Sequence, residues 1–155
     1  VDDDLAGFRH ELAVNLVAPY ELSRRAARWW IAEDHPGVVV NVGSILGEVS
    51  GGRLRVPGYV AAKGGLHNLT REMAVQWARK GIRVNALAPG WFETEMNSDE
   101  MFHTDAGLAY IGDGAALGRG GWSHELDGAL LLLSSDASSY MTGHVLLVDG
   151  GWTAS

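Results

Sequence analysis

Two strand-like segments separated by a long amphipathic segment constrain this fold more than any other feature of the sequence. The first, Val38-Val39-Val40-Asn41-Val42, is a continuous β-branched run, typical of a strand that is buried on both faces of a parallel sheet. The second runs from Ile82 to Ala88 and ends at Pro89-Gly90. A long helix between two strands allows them to lie parallel, joined by a right-handed crossover. The sequence therefore predicts an α/β fold with a parallel sheet.

The segment between the two strands has the period of a helix that buries one face. Its apolar residues recur three or four positions apart, and Gly81 follows as a helix-ending residue. We therefore predict a helix from about Tyr59 to Lys80 with a core-facing stripe. The stripe comprises Ala62, Leu66, Leu69, Met73 and Trp77.

Apolar spacing predicts the remaining elements as well. A helix is expected from about residue 4 to 33, with Asp2–Asp4 at its amino end, where negative charge is favourable. Ser123 is placed to begin a further helix, and His144 to Val148 form a last strand. Between Trp91 and Trp122 the periodicity fails, which predicts a long irregular excursion of the kind that covers binding sites.

Composition limits the classes of function that are open. The 155 residues are 46% hydrophobic, enough for one globular domain, with no internal repeat and no second domain. A net charge of −7 argues against nucleic acid or an anionic membrane as a partner. The absence of cysteine suits a reducing cytoplasm, and no segment resembles a signal peptide or a membrane span. The six histidines are scattered, so we expect no metal site.

Tyr59 and Lys63 form the strongest candidate for chemistry, because their spacing places both side chains on one helix face. A neighbouring ammonium favours the phenolate and lowers a tyrosine pKa, which is ordinarily about 10. Bringing that pKa to about 7 takes roughly 4 kcal/mol, so a positively charged cofactor ring would have to help one lysine. Ser44, at the end of the first strand, can hydrogen-bond the oxygen on which charge develops. The alternative is an ordinary exposed pair with a solvated lysine.

Pro19 lies inside the first predicted helix and has no amide hydrogen to donate to the carbonyl of Asn15. That carbonyl is then free to hold a water molecule, although a simple kink is the alternative. The glycine-rich loop from Gly47 to Gly58 carries Arg53 and Arg55, which either contact an anionic substrate or remain solvated.

Taken in order, the motifs of this chain closely resemble the C-terminal part of the compact, single-domain short-chain dehydrogenase/reductases. The motifs are Asn15-Leu16, Val40-Asn41-Val42-Gly43-Ser44, Tyr59-Val60-Ala61-Ala62-Lys63, residues 83–90, Thr94-Glu95-Met96, residues 134–140 and Val148-Asp149-Gly150-Gly151. The resemblance implies a Rossmann-type three-layer fold. The family's glycine-rich turn and its Asn-Asn-Ala-Gly segment do not occur in residues 1–155. We therefore interpret residues 1–155 as the C-terminal portion of one such domain, without the first βαβ half that carries the glycine-rich turn.

The resemblance also implies a role for individual residues. Tyr59 would be the acid/base, Lys63 would lower its pKa and hold the nicotinamide ribose, and Ser44 would polarise the carbonyl. Asn15 would hold the water of a proton relay. Further residues are expected along an NAD or NADP nicotinamide: Pro89, Gly90, Trp91, Phe92 and Thr94. Residues 97–118 would cover the substrate.

The function implied is NAD(P)-dependent interconversion of a secondary alcohol and a ketone, in a homodimer or homotetramer formed through the last strand and the two long helices. Two alternatives stay open at this point. One is a reductase of carrier-bound acyl chains instead of a sugar or polyol dehydrogenase. The other is a non-catalytic fragment that serves only as a structural or oligomerisation module.

Overall fold

A parallel three-stranded sheet forms the centre of the molecule. The computed structural model describes residues 5–95 and 97–154, in which strands β1 (Gly37–Val42), β2 (Ile82–Pro89) and β3 (Val145–Val148) lie in the order β1-β2-β3. The register pairs Gly37 with Ile82 and Ala86 with Val145. The predicted parallel sheet is confirmed.

Five α-helices surround this sheet within the described residues. Two of them are joined end to end by a π-helical turn. The helices are α1 (Leu5–Leu12), α2 (Ala18–Ala32), α3 (Pro57–Trp77), α4 (Asp105–Gly114) and α5 (Asp127–Ser134), and the π-helical turn between α1 and α2 is Ala13–Val17. The predicted residues Asp2–Asp4 lie outside the described part of the chain. Over residues 5–95 and 97–154, no helix combines the length and apolar character needed to cross a membrane.

The helices cover both faces of the sheet, which gives three layers. Val84 of β2 is buried in a core cluster with Ala27 of α2 and Met73 of α3. Neighbouring strand residues point to opposite faces. The side chain of Arg83 accordingly reaches the other face, where it donates to the Leu133 carbonyl at the end of α5 over 3.3 Å.

The buried stripe of α3 is as predicted. Ala62, Leu66 and Met73 are at most 1% exposed, while Leu69 and Trp77 are partly buried against the core. A buried polar contact also fixes α3 against β1. Asn41 of β1 donates to the Thr70 hydroxyl over 2.9 Å, and that hydroxyl donates to the Leu66 carbonyl over 2.8 Å. Because buried polar groups are costly unless paired, this contact specifies how α3 sits on the sheet.

The prediction that residues 91–122 are irregular is wrong for one part of that segment, because α4 forms there. The Thr104 hydroxyl caps α4 by accepting from the Gly107 amide over 3.0 Å. Glycines in and after the helix concealed its apolar period. At Gly107 a glycine is required, since a Cβ would lie 2.5 Å from the Glu100 carbonyl oxygen.

Candidate active site

The carboxyl edge of the sheet carries a cavity of about 340 Å³. Ser44 reaches it just beyond β1, Gly90 just beyond β2, and Tyr59 from the first turn of α3. In open parallel sheets, ligands bind outside the carboxyl ends of the strands. The other residues that line the cavity are Glu11, Ile45, Leu46, Leu54, Val56, Trp91, Asn97, Glu100 and Met101.

Tyr59 and Lys63 lie one turn apart on α3, as predicted from their spacing. The Lys63 Nζ atom lies 5.4 Å from the centre of the Tyr59 ring and donates to the Val42 carbonyl over 2.9 Å. Lys63 is only 8% exposed, so it is not a solvated surface lysine. Burial lowers its pKa, while the charge of Glu11 acts in the opposite direction.

The protein's own groups do not lower the pKa of Tyr59, contrary to the expectation for a nearby lysine. Burial raises the pKa of the phenol, the charge of Glu11 raises it further, and only the hydrogen bond with Ser44 acts against them. Lys63 is not among the groups that shift this pKa, and its Nζ donates to the Val42 carbonyl. Activation of Tyr59 as a base therefore requires positive charge from another source.

The turn that follows β1 presents Ser44 to Tyr59. Ser44 has an extended backbone, with φ −167° and ψ 153°, and is 8% exposed. Its hydroxyl accepts from the Leu46 amide over 3.1 Å and so caps the short helical turn Ile45–Gly47. Ser44 and Tyr59 both line the cavity, and the Ser44 side chain acts to lower the pKa of the phenol.

Asn15 lies within the π-helical turn and does not line the cavity itself. Its side-chain amide donates to Glu11 over 2.6 Å, and Glu11 lines the cavity one helical turn earlier. The Ala18 amide reaches back five residues to the Ala13 carbonyl, so the chain accommodates Pro19 without ending the helix. The sequence analysis missed Glu11, although its four-residue spacing from Asn15 on a predicted helix was a usable signal.

Only two of the residues expected along a nicotinamide line the cavity. Gly90 and Trp91 line the cavity, and Gly90 passes so close to Asp149 that a Cβ would lie 2.7 Å from its Cα atom. Pro89, Phe92 and Thr94 are not among the lining residues. Phe92 is 8% exposed. Thr94 is exposed, and its amide bonds the side-chain oxygen of Asn97 over 2.9 Å.

An aromatic cluster supports the cavity wall behind Trp91. The ring of Trp91 meets those of Tyr110 and Trp152 edge-on, at 5.8 Å in both cases. Its indole Nε1 is buried and has no hydrogen-bond partner among residues 5–95 and 97–154. The Arg53 guanidinium lies 3.7 Å from the centre of the Tyr110 ring, so this loop arginine contacts α4 and does not line the cavity.

Part of the segment predicted to cover the substrate lines the cavity. The residues concerned are Asn97, Glu100 and Met101. The contact between Arg53 and Tyr110 links this segment to the loop that follows Ser44. No group of three or more His, Cys, Asp or Glu side chains in the described ranges could hold a metal ion.

Comparison with known proteins identifies the family. A family model described as enoyl-(acyl carrier protein) reductase matches residues 1–153. The galactitol 2-dehydrogenase (L-tagatose-forming) of Cereibacter sphaeroides is 39% identical over 99% of this chain and 59% of its own length. The 2-dehydro-3-deoxy-D-gluconate 5-dehydrogenase of Escherichia coli K12 is 38% identical over 91% of this chain and 54% of its own length. The chain belongs to the short-chain dehydrogenase/reductase family, which confirms the resemblance seen in the motifs.

Solved structures agree with this assignment. A gluconate 5-dehydrogenase from Burkholderia cenocepacia, in complex with NADP and tartrate, superposes with a TM-score of 0.93 at 34% identity, over 99% of this chain and 59% of its own. A 4-hydroxyisoleucine dehydrogenase complexed with NADH gives 0.88 at 35% identity, over 93% and 58%. The Rossmann-type fold is thereby confirmed, and the chain spans less than two thirds of the length of these relatives.

Proposed function

We propose that this protein is an NAD(P)-dependent oxidoreductase that interconverts a secondary alcohol and a ketone by hydride transfer. One observation carries the proposal: Ser44 and Tyr59 line one cavity, and the Lys63 Nζ atom lies 5.4 Å from the Tyr59 ring, one helical turn along α3. This arrangement suits an oxygen that gains or loses a proton while its carbon exchanges a hydride. The alternative of a purely structural module is not favoured, since relatives with 38–39% identity are named dehydrogenases.

The residues present fit the nicotinamide half of the cofactor. Lys63 makes one side-chain hydrogen bond within the described ranges, to the Val42 carbonyl, while an ammonium has three donor hydrogens. Its remaining donors suit the two hydroxyls of a ribose. Gly90 leaves the backbone beside the cavity free of a side chain. The oxidised nicotinamide, when bound, supplies the hydride acceptor together with a positive charge.

Side chains of this protein are proposed to carry out the proton transfer. In the oxidative direction Tyr59 takes the hydroxyl proton of the substrate, and in the reductive direction it returns that proton to the carbonyl oxygen. Ser44 donates to the same oxygen and stabilises the charge that develops on it. Asn15 donates to Glu11, which lines the same cavity from α1, so Asn15 is proposed to hold the water through which the proton exchanges with solvent.

The substrate class follows from the cavity and the relatives together. We infer a small hydroxylated molecule, because polar and apolar groups are mixed in a cavity of about 340 Å³. Named relatives act on galactitol and gluconate derivatives. We further propose that the protein works in the cytoplasm, which its lack of cysteine suits.

A coupled assay tests the proposed function. The protein, expressed from its full coding sequence, is mixed with NAD or NADP and a panel of polyols, sugar acids and simple secondary alcohols. Formation of the reduced cofactor is followed by absorbance, and the reverse reaction is followed with the corresponding ketones. If no alcohol is oxidised with either cofactor although one of them binds, the proposal is wrong.

Replacing Pro19 tests the relay. Pro19→Ala restores an amide hydrogen to the helix, so we expect the protein to be stabilised by up to about 3 kcal/mol. If the Asn15 carbonyl holds the relay water, the restored bond competes for that carbonyl and turnover slows. Denaturant unfolding and kcat are measured on the same preparation. A stabilised variant with unchanged turnover would leave Pro19 as a feature of the helix only.

We propose a homodimer or homotetramer as the working assembly. Apolar side chains are strongly exposed on α2 and α5, where Leu22 is 69% and Leu131 is 66% exposed. Large exposed apolar groups of this kind favour association between copies. Size-exclusion chromatography with light scattering on the full coding product should give two or four chains. A monomer at assay concentrations would contradict the assembly.

A further inference from the structure

His67 is a buried imidazole directly behind the turn that carries Ser44. It lies one helical turn after Lys63 and two turns after Tyr59 on α3, and it is 1% exposed. The sequence analysis assigned it no role. Polar side chains this deeply buried are rare unless they are paired, so its contacts define what it does.

Hydrogen bonds determine which ring nitrogen carries the proton. The Ser44 amide donates to His67 Nε2 over 3.4 Å, so Nε2 must present a lone pair. The proton is then on Nδ1, which lies 2.9 Å from a carboxylate oxygen of Glu48 and donates to it. Both nitrogens are paired only in this neutral tautomer.

The turn encloses the ring closely. A Cβ at Gly43 would overlap Nε2, and a Cβ at Gly47 would overlap Cε1. These two glycines flank Ser44, so the ring occupies the space that their missing side chains leave. The ring therefore packs directly against the backbone on both sides of Ser44.

We propose that His67 is a positioning residue for Ser44, whose neutral imidazole holds the Gly43–Gly47 turn so that the Ser44 hydroxyl meets the Tyr59 phenol. Glu48 fixes the tautomer through Nδ1, in the manner of a carboxylate that orients an imidazole. The proposal deepens the proposed function and rests on it for its effect on turnover. The position of the proton on the His67 ring can be measured whether or not the protein turns over a substrate.

Protonation of His67 would undo this arrangement, because an N–H at Nε2 would face the N–H of Ser44. The charged groups around the ring are Glu48 on the turn and Lys63 and Arg71 on α3. Burial lowers the pKa of His67, and the hydrogen bond with Glu48 acts against that. The unfolded chain therefore takes up this proton first as the pH falls below about 6.5. The stability that this neutral ring contributes is complete above that pH and declines between it and the lower pKa of the folded state. The placement of Ser44 in the folded protein is lost only as the pH falls through that lower pKa.

Two substitutions separate positioning from packing. In His67→Gln the side-chain oxygen can still accept from the Ser44 amide but does not titrate, so kcat is largely kept and the acid-side ionisation of kcat disappears. In His67→Leu the volume is filled but the acceptor is lost, so kcat falls by up to about 100-fold at all pH values, the scale of a misplaced catalytic group. The exposed His124 provides the matched control, and His124→Gln should keep the wild-type profile.

Equal turnover in the Gln and Leu variants would overturn the proposal, as would an unchanged acid limb in His67→Gln. Nitrogen-15 spectra of the imidazoles in the full coding product supply a readout that requires neither turnover nor a folded Leu variant. They should show His67 as the neutral Nδ1–H tautomer near pH 7, and an Nε2–H tautomer or a charged ring would overturn the proposal. A wild-type protein without turnover that shows the expected tautomer would refute the proposed function alone.

Discussion

Replacing Tyr59 by Phe should reduce kcat by at least about 100-fold, the usual scale for the loss of a general acid–base group. The change keeps the ring, so its packing on α3 and the 5.4 Å approach of Lys63 Nζ are preserved. It removes the phenolic hydroxyl that lines the cavity together with Ser44. Among the described residues that line the cavity, Tyr59 is the only tyrosine, so no second phenol lies there to substitute for it.

Tyr140→Phe is the matched control, since that side chain is fully exposed. Its turnover should equal that of the wild type. Cofactor titration of both variants by fluorescence separates a loss of chemistry from a loss of binding. A Tyr59→Phe enzyme that retains near-normal kcat would refute Tyr59 as the acid/base.

Replacing Ser44 by Ala should have an effect of similar size on turnover, together with a loss of stability. Removing one donor to a developing oxyanion costs about 100- to 1000-fold in kcat. The same hydroxyl caps the turn Ile45–Gly47, and loss of such a cap costs about 1 kcal/mol. We therefore expect Ser44→Ala to be slower and slightly less stable, as measured by kcat and by urea unfolding.

Two further variants separate the stability lost with the helix cap from the turnover lost with the hydroxyl. Ser50→Ala removes an equivalent local bond, from the Gly52 amide over 3.1 Å, at a serine that does not line the cavity. It should lose a similar amount of stability without losing turnover. Ser44→Thr keeps the hydroxyl and should retain most activity. If Ser44→Ala and Ser50→Ala show the same kcat, Ser44 does not stabilise the reacting oxygen.

The sheet and α3 were predictable because their signals are local. The β-branched run of β1 predicts a strand that is buried on both faces. The apolar stripe of α3 predicts a helix that is buried on one face. The order of motifs then identified the family and with it the edge of the sheet at which the site lies. Helix α4 was missed because glycines interrupt the spacing of its apolar residues. Its cap, the bond from the Gly107 amide to the Thr104 hydroxyl, could not be recognised without that spacing.

Contacts between distant residues were beyond sequence reasoning. The direction of the Lys63 Nζ toward the Val42 carbonyl depends on how α3 packs on β1. The role of His67 likewise arises from two glycines and a carboxylate that lie about twenty residues earlier. Such arrangements follow from tertiary packing, which a single sequence does not specify residue by residue.

The anchoring of α3 has a consequence for how a substrate enters. Tyr59 and Lys63 stand on a helix whose opposite face is the hydrophobic core and which is tied to β1 through Asn41 and Thr70. Segments of this kind exchange their amide hydrogens only when the whole domain unfolds. Asn97, Glu100 and Met101 line the same cavity, on a segment that contacts the loop after Ser44 through Tyr110 and Arg53. We therefore expect α3 to keep its position during turnover, and the segment around residues 97–101 to move when a molecule enters or leaves the cavity.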